Sequence, residues 1–214
     1  PSYSWAIGNE TPDESTMDIL LAMSFEELIE VEVSVATGTT KPLKLAPAVA
    51  SVITAREIER IGATSLDQVL ETVPGLHVAP SGTWFSPIWS IRGIHTSINP
   101  EVLLLINGVP FTSNYAGNRG FLYRMPVSMI SRVEVIRGPG SALYGADAYS
   151  GVVNVITKNA QDIDGTEAGF RGGSFNTYDG WAQHGGSYGG WEVSLGLEWY
   201  KSDGDDGQVV EEDY

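Results

Sequence analysis

The chain has 214 residues, 42% of them apolar and 10% aromatic, enough for one domain with appendages or for two small domains. Its net charge of −15 argues against nucleic acid, whose phosphates demand a basic surface. It has no Cys, which excludes disulfides and thiol chemistry, and no run approaching the ~20 apolar residues of a membrane-spanning helix.

Residues 1–40 hold eight acids and no Lys or Arg. No basic-plus-apolar start marks a signal peptide, so the chain reads from Pro1 as a mature N-terminus. Residues 1–11 carry no periodicity. Thr11-Pro12-Asp13-Glu14 then reads as a helix start, with a Thr cap, Pro at the first helical position and acids in the first turn. Ser24 and Glu27 form a capping box for a second start, and Met17, Leu20, Leu21, Phe25 and Leu28 supply an apolar face. The period next changes to two. Val31, Val33 and Val35 alternate with Glu32 and Ser34, a short strand lying outside any obvious core.

From Lys41 to Ala160 ten basic residues oppose seven acids, a reversal of sign that marks a separate unit. Residues 49–53 form an apolar strand. Thr54 and Glu57 make a capping box, opening a helix that Gly62 can close. Ser65 and Gln68 repeat the pattern, and that helix ends before Pro74-Gly75. Residues 76–78, 91–93 and 102–106 read as strands, and Asn107-Gly108 is a strong hairpin turn. A polar and aromatic loop spans Pro80 to Trp89, and a Gly/Asn/Tyr loop spans Thr112 to Arg124. Residues 126–130 give a short helix, and 133–136 and 152–157 two more strands. Strand residues mostly lack a polar face, so the fold class is α+β, a small mixed-sheet domain over about residues 42–158 whose sheet is covered on both sides.

From Gly165 the texture turns to Gly and aromatics, among them Phe170, Phe175, Tyr178, Trp181, Tyr188, Trp191, Trp199 and Tyr200. Val193, Leu195 and Leu197 face one way and Glu192, Ser194, Gly196 and Glu198 the other. Alternating segments of ~10 residues with aromatics at their ends are the pattern of transmembrane β-barrel strands. About three such strands fit before Tyr214, too few to close a barrel, so the chain reads as truncated. Residues 161–214 carry twelve acids and two basic residues.

Four segments in order carry a family resemblance: LDQVLETVPG (66–75), IRG (91–93), VLLLINGVP (102–110), and RVEVIRGPGSALYG (132–145) running on to GVVNVITK (151–158). The chain resembles the TonB-dependent outer-membrane receptors, nearest to the cobalamin and catecholate-siderophore branches. That resemblance implies a plug domain inside a 22-stranded barrel of the Gram-negative outer membrane. Residues 1–41 would be a periplasmic arm, 42–160 the plug, and 161–214 the start of the barrel. The TonB box would be Glu32, Val33, Ser34, Val35 and Ala36, a strand able to add to a sheet edge of TonB's periplasmic C-terminal domain. An ordinary edge strand is the competing reading of the same residues.

Arg92 and Arg137 match the plug arginines that the family buries against barrel glutamates. Without those partners they are expected to be exposed or re-paired. Substrate would meet the loops 81–87 and 112–118. There Trp84, Phe85 and Tyr115 offer flat surfaces, or pack beneath the barrel mouth, and Ser81, Thr83, Asn114 and Asn118 offer hydrogen bonds. Such residue types suit a metal chelate or a corrinoid.

No catalytic residue, cofactor or metal ligand is implied. GPGSALYG (138–145) lacks the Lys-Ser/Thr ending of a phosphate loop and reads as a tight turn. His77, His95 and His184 are scattered, and Asp203, Asp205 and Asp206 fail the register of a calcium loop at Gly207. No nucleophile–base pair stands at a recognisable spacing. A stand-alone periplasmic or surface ligand-binding module without a barrel is the alternative, and the aromatic strands from Gly165 argue against it.

Overall fold

The computed structural model describes residues 32–33, 41–42, 49–79, 87–114, 117–119, 125–138 and 144–204. The helix starts read at Thr11 and Ser24, the loop residues 80–86 and the acidic segment from 205 onward lie outside them.

Two short strands, β1 (Glu32–Val33) and β2 (Lys41–Pro42), pair antiparallel. The next strand, β3 (Val49–Thr54), runs straight into helix α1 (Ala55–Ile61). The junction is the expected capping box: the Thr54 hydroxyl accepts from the Glu57 N–H, and the Glu57 carboxylate accepts from the Thr54 N–H at 2.7 Å. Gly62 ends α1 at φ +65°, a left-handed cap that its missing Cβ permits. Helix α2 (Leu66–Glu71) is capped by Ser65, while Gln68 reaches one residue further back, to the Thr64 N–H. Leu66, Val69 and Leu70, at spacings of three and four, bury one face of α2.

Strands β4 (Leu76–Ala79) and β5 (Ile88–Ile91) pair antiparallel. The expected strand over 91–93 stops at Ile91. Arg92 and Gly93 take φ of +53° and +78°, and the Arg92 N–H donates to the Gly75 carbonyl, so the segment is a turn. Strand β6 (Val102–Ile106) turns at Asn107-Gly108, φ +50° and +80°, into β7 (Val109–Pro110). A single 3-10 turn (Val127–Met129) precedes β8 (Ile130–Arg137), and a second (Ala146–Ala148) precedes β9 (Gly151–Thr157).

The main sheet has the order β3-β8-β9-β6-β7, with β6 and β9 parallel and the other pairs antiparallel. Helices α1 and α2 close one face over Val133, Val135, Val153, Val155 and Leu104. Leu103, Leu105, Ile136 and Val152 fill the other face with Ala148 and Tyr144. Burial on both faces explains the continuous apolar strands.

After helix α3 (Ala160–Ile163) the chain forms an antiparallel three-stranded sheet, β10 (Gly165–Gly173), β11 (Thr177–Tyr188) and β12 (Trp191–Lys201). Here the faces are reversed. Phe170, Tyr178, Trp191, Leu195, Leu197 and Trp199 are exposed on the side away from the main sheet. The near side carries Asp179, Gln183 and Arg171, and Glu192 and Ser194 bond to Gln161 and to the Lys158 carbonyl. Glycines let the two units approach. A Cβ on Gly185 would lie 2.5 Å from the Ala160 carbonyl oxygen, and one on Gly196 would lie 2.2 Å from the Met129 sulfur.

Candidate functional site

The residues singled out above fall at three places. At the arm, Glu32 and Val33 are paired through their backbones with Pro42 and Lys41, so one edge of β1 is engaged by the chain itself. Ser34, Val35 and Ala36 lie outside the described residues.

The second place is the junction of β3, α2 and the turn at 91–93. Arg92 is exposed, and among the described residues it is held through its backbone N–H. Arg137, at the end of β8, donates to the Pro74 carbonyl and, at 3.1 Å, to the Ser51 hydroxyl on the edge strand β3. Its Nε is buried without a partner among the described residues. The two arginines are thus exposed in one case and re-paired with neutral oxygens in the other, and neither meets a carboxylate among the described residues. Both converge on Pro74-Gly75, just beyond the last turn of α2.

The third place is the pair of loops. Ser81, Thr83, Trp84, Phe85 and Tyr115 lie outside the described residues. Asn114 is exposed. Asn118 is not the open hydrogen-bonding group that was expected. It is 3% exposed, and its side-chain oxygen has no partner among the described residues. Its backbone carbonyl accepts from the Ser113 N–H at 2.6 Å, and the Gly117 N–H donates to the Ser113 carbonyl, closing the loop on itself.

Two buried polar networks were not visible in the sequence. The first surrounds Arg119, which is buried and immediately follows residues 112–118 in the chain. Its guanidinium lies 3.8 Å over the Trp89 ring and donates to Asn99 Oδ1 at 2.8 Å. The Trp89 indole N–H donates to Asp67 Oδ1 at 2.6 Å. Asn99 also clamps the Trp89 backbone, accepting its N–H and donating to its carbonyl. Burial pushes the Arg119 guanidinium down to about 10, with the Asp67 charge opposing the shift. Its partners stand 20, 30 and 52 positions away in the chain, so no local pattern could reveal them.

The second network lies within the sheet. Glu134, fully buried, pairs with Arg132 at 2.8 Å and accepts from Asn154, whose own oxygen holds the Gly108 N–H of the hairpin turn. Burial, and then the Glu134 charge, raise the Tyr144 hydroxyl above its ordinary range. In the sequence Glu134 lies within the strand expected over 133–136, and nothing local marks its partners. Among the described residues no group of three or more His, Cys, Asp or Glu is placed to hold a metal ion. His77 meets one carboxylate, Glu71, at 2.7 Å on the surface.

Comparison with known proteins gives these elements a setting. The family described as TonB-dependent Receptor Plug Domain matches residues 42–152. The vitamin B12 transporter BtuB of Vibrio vulnificus (strain CMCP6) is 43% identical over 135 residues, covering 63% of this chain and 22% of that protein. The chain therefore spans about a fifth of the length of that curated relative. Among solved structures, the alcaligin outer membrane receptor FauA from Bordetella pertussis superposes with a TM-score of 0.61 at 23% identity, over 81% of this chain and 30% of that one. The ferric-catecholate import receptor Fiu from E. coli K12 gives 0.59 at 26% identity, over 76% and 22%. These relatives are named as transporters and receptors.

Proposed function

The chain belongs to the TonB-dependent receptor plug-domain family, and from that premise we propose that it gates an outer-membrane active transporter for a scarce nutrient. In this reading residues 1–41 are a periplasmic arm, 42–160 the plug, and 161–214 the first part of the barrel wall. The nutrient is a metal chelate or a corrinoid, and the relative named as a vitamin B12 transporter favours cobalamin as the first to try.

One observation carries the reading. The plug-matching segment leads directly into a sheet whose apolar, aromatic side faces outward and whose polar side faces the plug. A water-soluble module gains nothing from an exposed Trp191, Leu195, Leu197 and Trp199 on one sheet face, whereas strands bordered by lipid require it.

TonB engages residues 32–36 by strand addition, using the edge of β1 that β2 leaves open or displacing β2. The acidic arm steers a basic partner surface toward it. Arg92 and Arg137, which meet no carboxylate among the described residues, pair with glutamates of the barrel wall, where each buried guanidinium needs a charged partner. A pull on the arm reaches β3 first, and Arg137 holds β3 through Ser51.

Calorimetric titration of this chain with TonB's periplasmic C-terminal domain tests the coupling, comparing wild type with Val33→Pro and Ser34→Pro. Neighbouring N–H groups point opposite ways, so loss of binding in at least one Pro variant is the expected result. Binding indifferent to both places the TonB contact elsewhere and removes residues 32–36 as the box.

A further inference from the structure

We propose that Arg119 is a positioning residue that ties the roots of the two ligand-facing loops to each other and to helix α2. The proposal rests on the reading that loops 81–87 and 112–118 face the transported ligand. Trp89 stands two residues after the first loop and Arg119 immediately follows the second. Asn99 Oδ1 accepts from both, from the Trp89 N–H at 2.8 Å and from the Arg119 guanidinium at 2.8 Å. The Arg119 guanidinium also stacks on the Trp89 ring, and the far edge of that ring is bonded to Asp67 in the first turn of α2.

The guanidinium is the unusual member. A buried positive charge normally has a carboxylate in hydrogen-bond contact. Among the described residues Arg119 instead meets an amide oxygen and an aromatic face, with Asp67 one ring away. That arrangement stabilises the charge only while Trp89, Asn99 and Asp67 all keep their places. A shift of either loop root therefore acts on one shared set of contacts rather than on two separate ones. At its other end α2 leads to Pro74-Gly75, whose carbonyls accept from the Arg137 side chain and the Arg92 N–H. Helix α2 is the element common to the loop roots and to the two arginines assigned to the barrel wall.

The test is residue-resolved hydrogen exchange on the full chain in detergent micelles, without ligand. The amides of Trp89, Ser113 and Gly117 are hydrogen-bonded at the two loop roots and report on each. In Arg119→Met all three are expected to exchange about tenfold faster or more, while amides in β8 and β9 keep their wild-type rates. Asp67→Ala leaves both loops intact in sequence and is expected to accelerate the same three amides. Acceleration at Ser113 and Gly117 alone in Arg119→Met, or no change at those two in Asp67→Ala, overturns the proposal. If Arg119→Met accelerates β8 and β9 as well, Arg119→Lys decides by the same criterion, since it keeps the charge but loses the planar fork. Cyanocobalamin added to wild type reports separately on the ligand reading. No protection of the loops by it removes them as cobalamin contacts, whereas the anchor stands or falls on the ligand-free rates.

Discussion

The main sheet and the β10–β12 sheet are built on the same period of two, yet their side chains serve opposite surroundings. In the main sheet Leu104 is 1% exposed and lies under α1 and α2. In β12 Leu197 is 77% exposed and faces away from the main sheet. The polar residues invert too: Asp179 and Gln183 of the outer sheet are buried toward the plug, whereas Glu134 and Asn154 are buried within the plug sheet, bonded to each other, with Arg132 paired to Glu134. A sheet flanked by its own helices and loops puts apolar groups inside. A sheet bordered by lipid puts them outside.

The strongest way to break that contrast is to open the buried polar network around Glu134. Glu134→Ala removes the carboxylate that pairs with Arg132 and accepts from Asn154, and is expected to cost about 3–5 kcal/mol of plug stability. Chemical denaturation of the chain in micelles reads it. A loss below about 1 kcal/mol would mean that water already reaches Glu134, as at an exposed pair.

Next come matched truncations of the two leucines. Leu104→Ala is expected to cost about 3 kcal/mol, because a packed core collapses only partly around the cavity. Leu197→Ala is expected to change plug unfolding by less than about 0.5 kcal/mol. Equal losses would mean that Leu197 is covered by protein, which removes the lipid-facing assignment of β12.

A third pair separates the two sides of the outer sheet. Gly196→Val pushes against Met129 and is expected to cost about 1–2 kcal/mol by overpacking, softened by the flexibility of the methionine. Gly180→Ala, on the outward side, meets nothing nearer than a ring atom of Phe170 at 3.7 Å and is expected to be near neutral. Thermal unfolding of both variants side by side gives the comparison. A neutral Gly196→Val would mean that the wall does not sit against Met129 as described.

Much of this contrast was legible in the sequence because it is local. The Thr54–Glu57 cap, the Gly62 stop, the Asn107-Gly108 turn and the alternation from Gly165 each depend on residues within a few positions. What was not legible depends on distance in the chain. Arg119 reads as one of two arginines in a Gly/Asn/Tyr loop, and only the fold brings Trp89, Asn99 and Asp67 to it. Asn118 has the composition of an exposed loop residue, but the loop folds it inward. Ile91-Arg92-Gly93 has strand composition at its first residue only. The bond from the Arg92 N–H to the Gly75 carbonyl, 17 residues back, makes it a turn.

The smallest expected effect lies on the plug surface, at the two polar contacts by which Glu71 joins α2 to β4. Glu71 Oε2 accepts from the Val78 N–H at 2.6 Å, and Oε1 meets His77 Nδ1 at 2.7 Å. The Val78 bond, then the bond to His77, hold the Glu71 carboxyl below its usual 4.5. A carboxyl depressed in the folded state binds its proton less readily there than in the unfolded chain. Its contribution to stability is therefore complete above about pH 4.5 and disappears as pH falls through the lower folded value. Glu71→Gln removes that dependence, so wild-type and variant unfolding curves should converge as pH is lowered below about 4.5. The group is exposed, so the gap between them at neutral pH is expected to be the least of the four. A gap that widens on acidification would reverse the sign. It would mean that the protonated acid, not the carboxylate, makes the bond across to β4, and the surface contact would then resemble the buried polar groups more than the solvated ones.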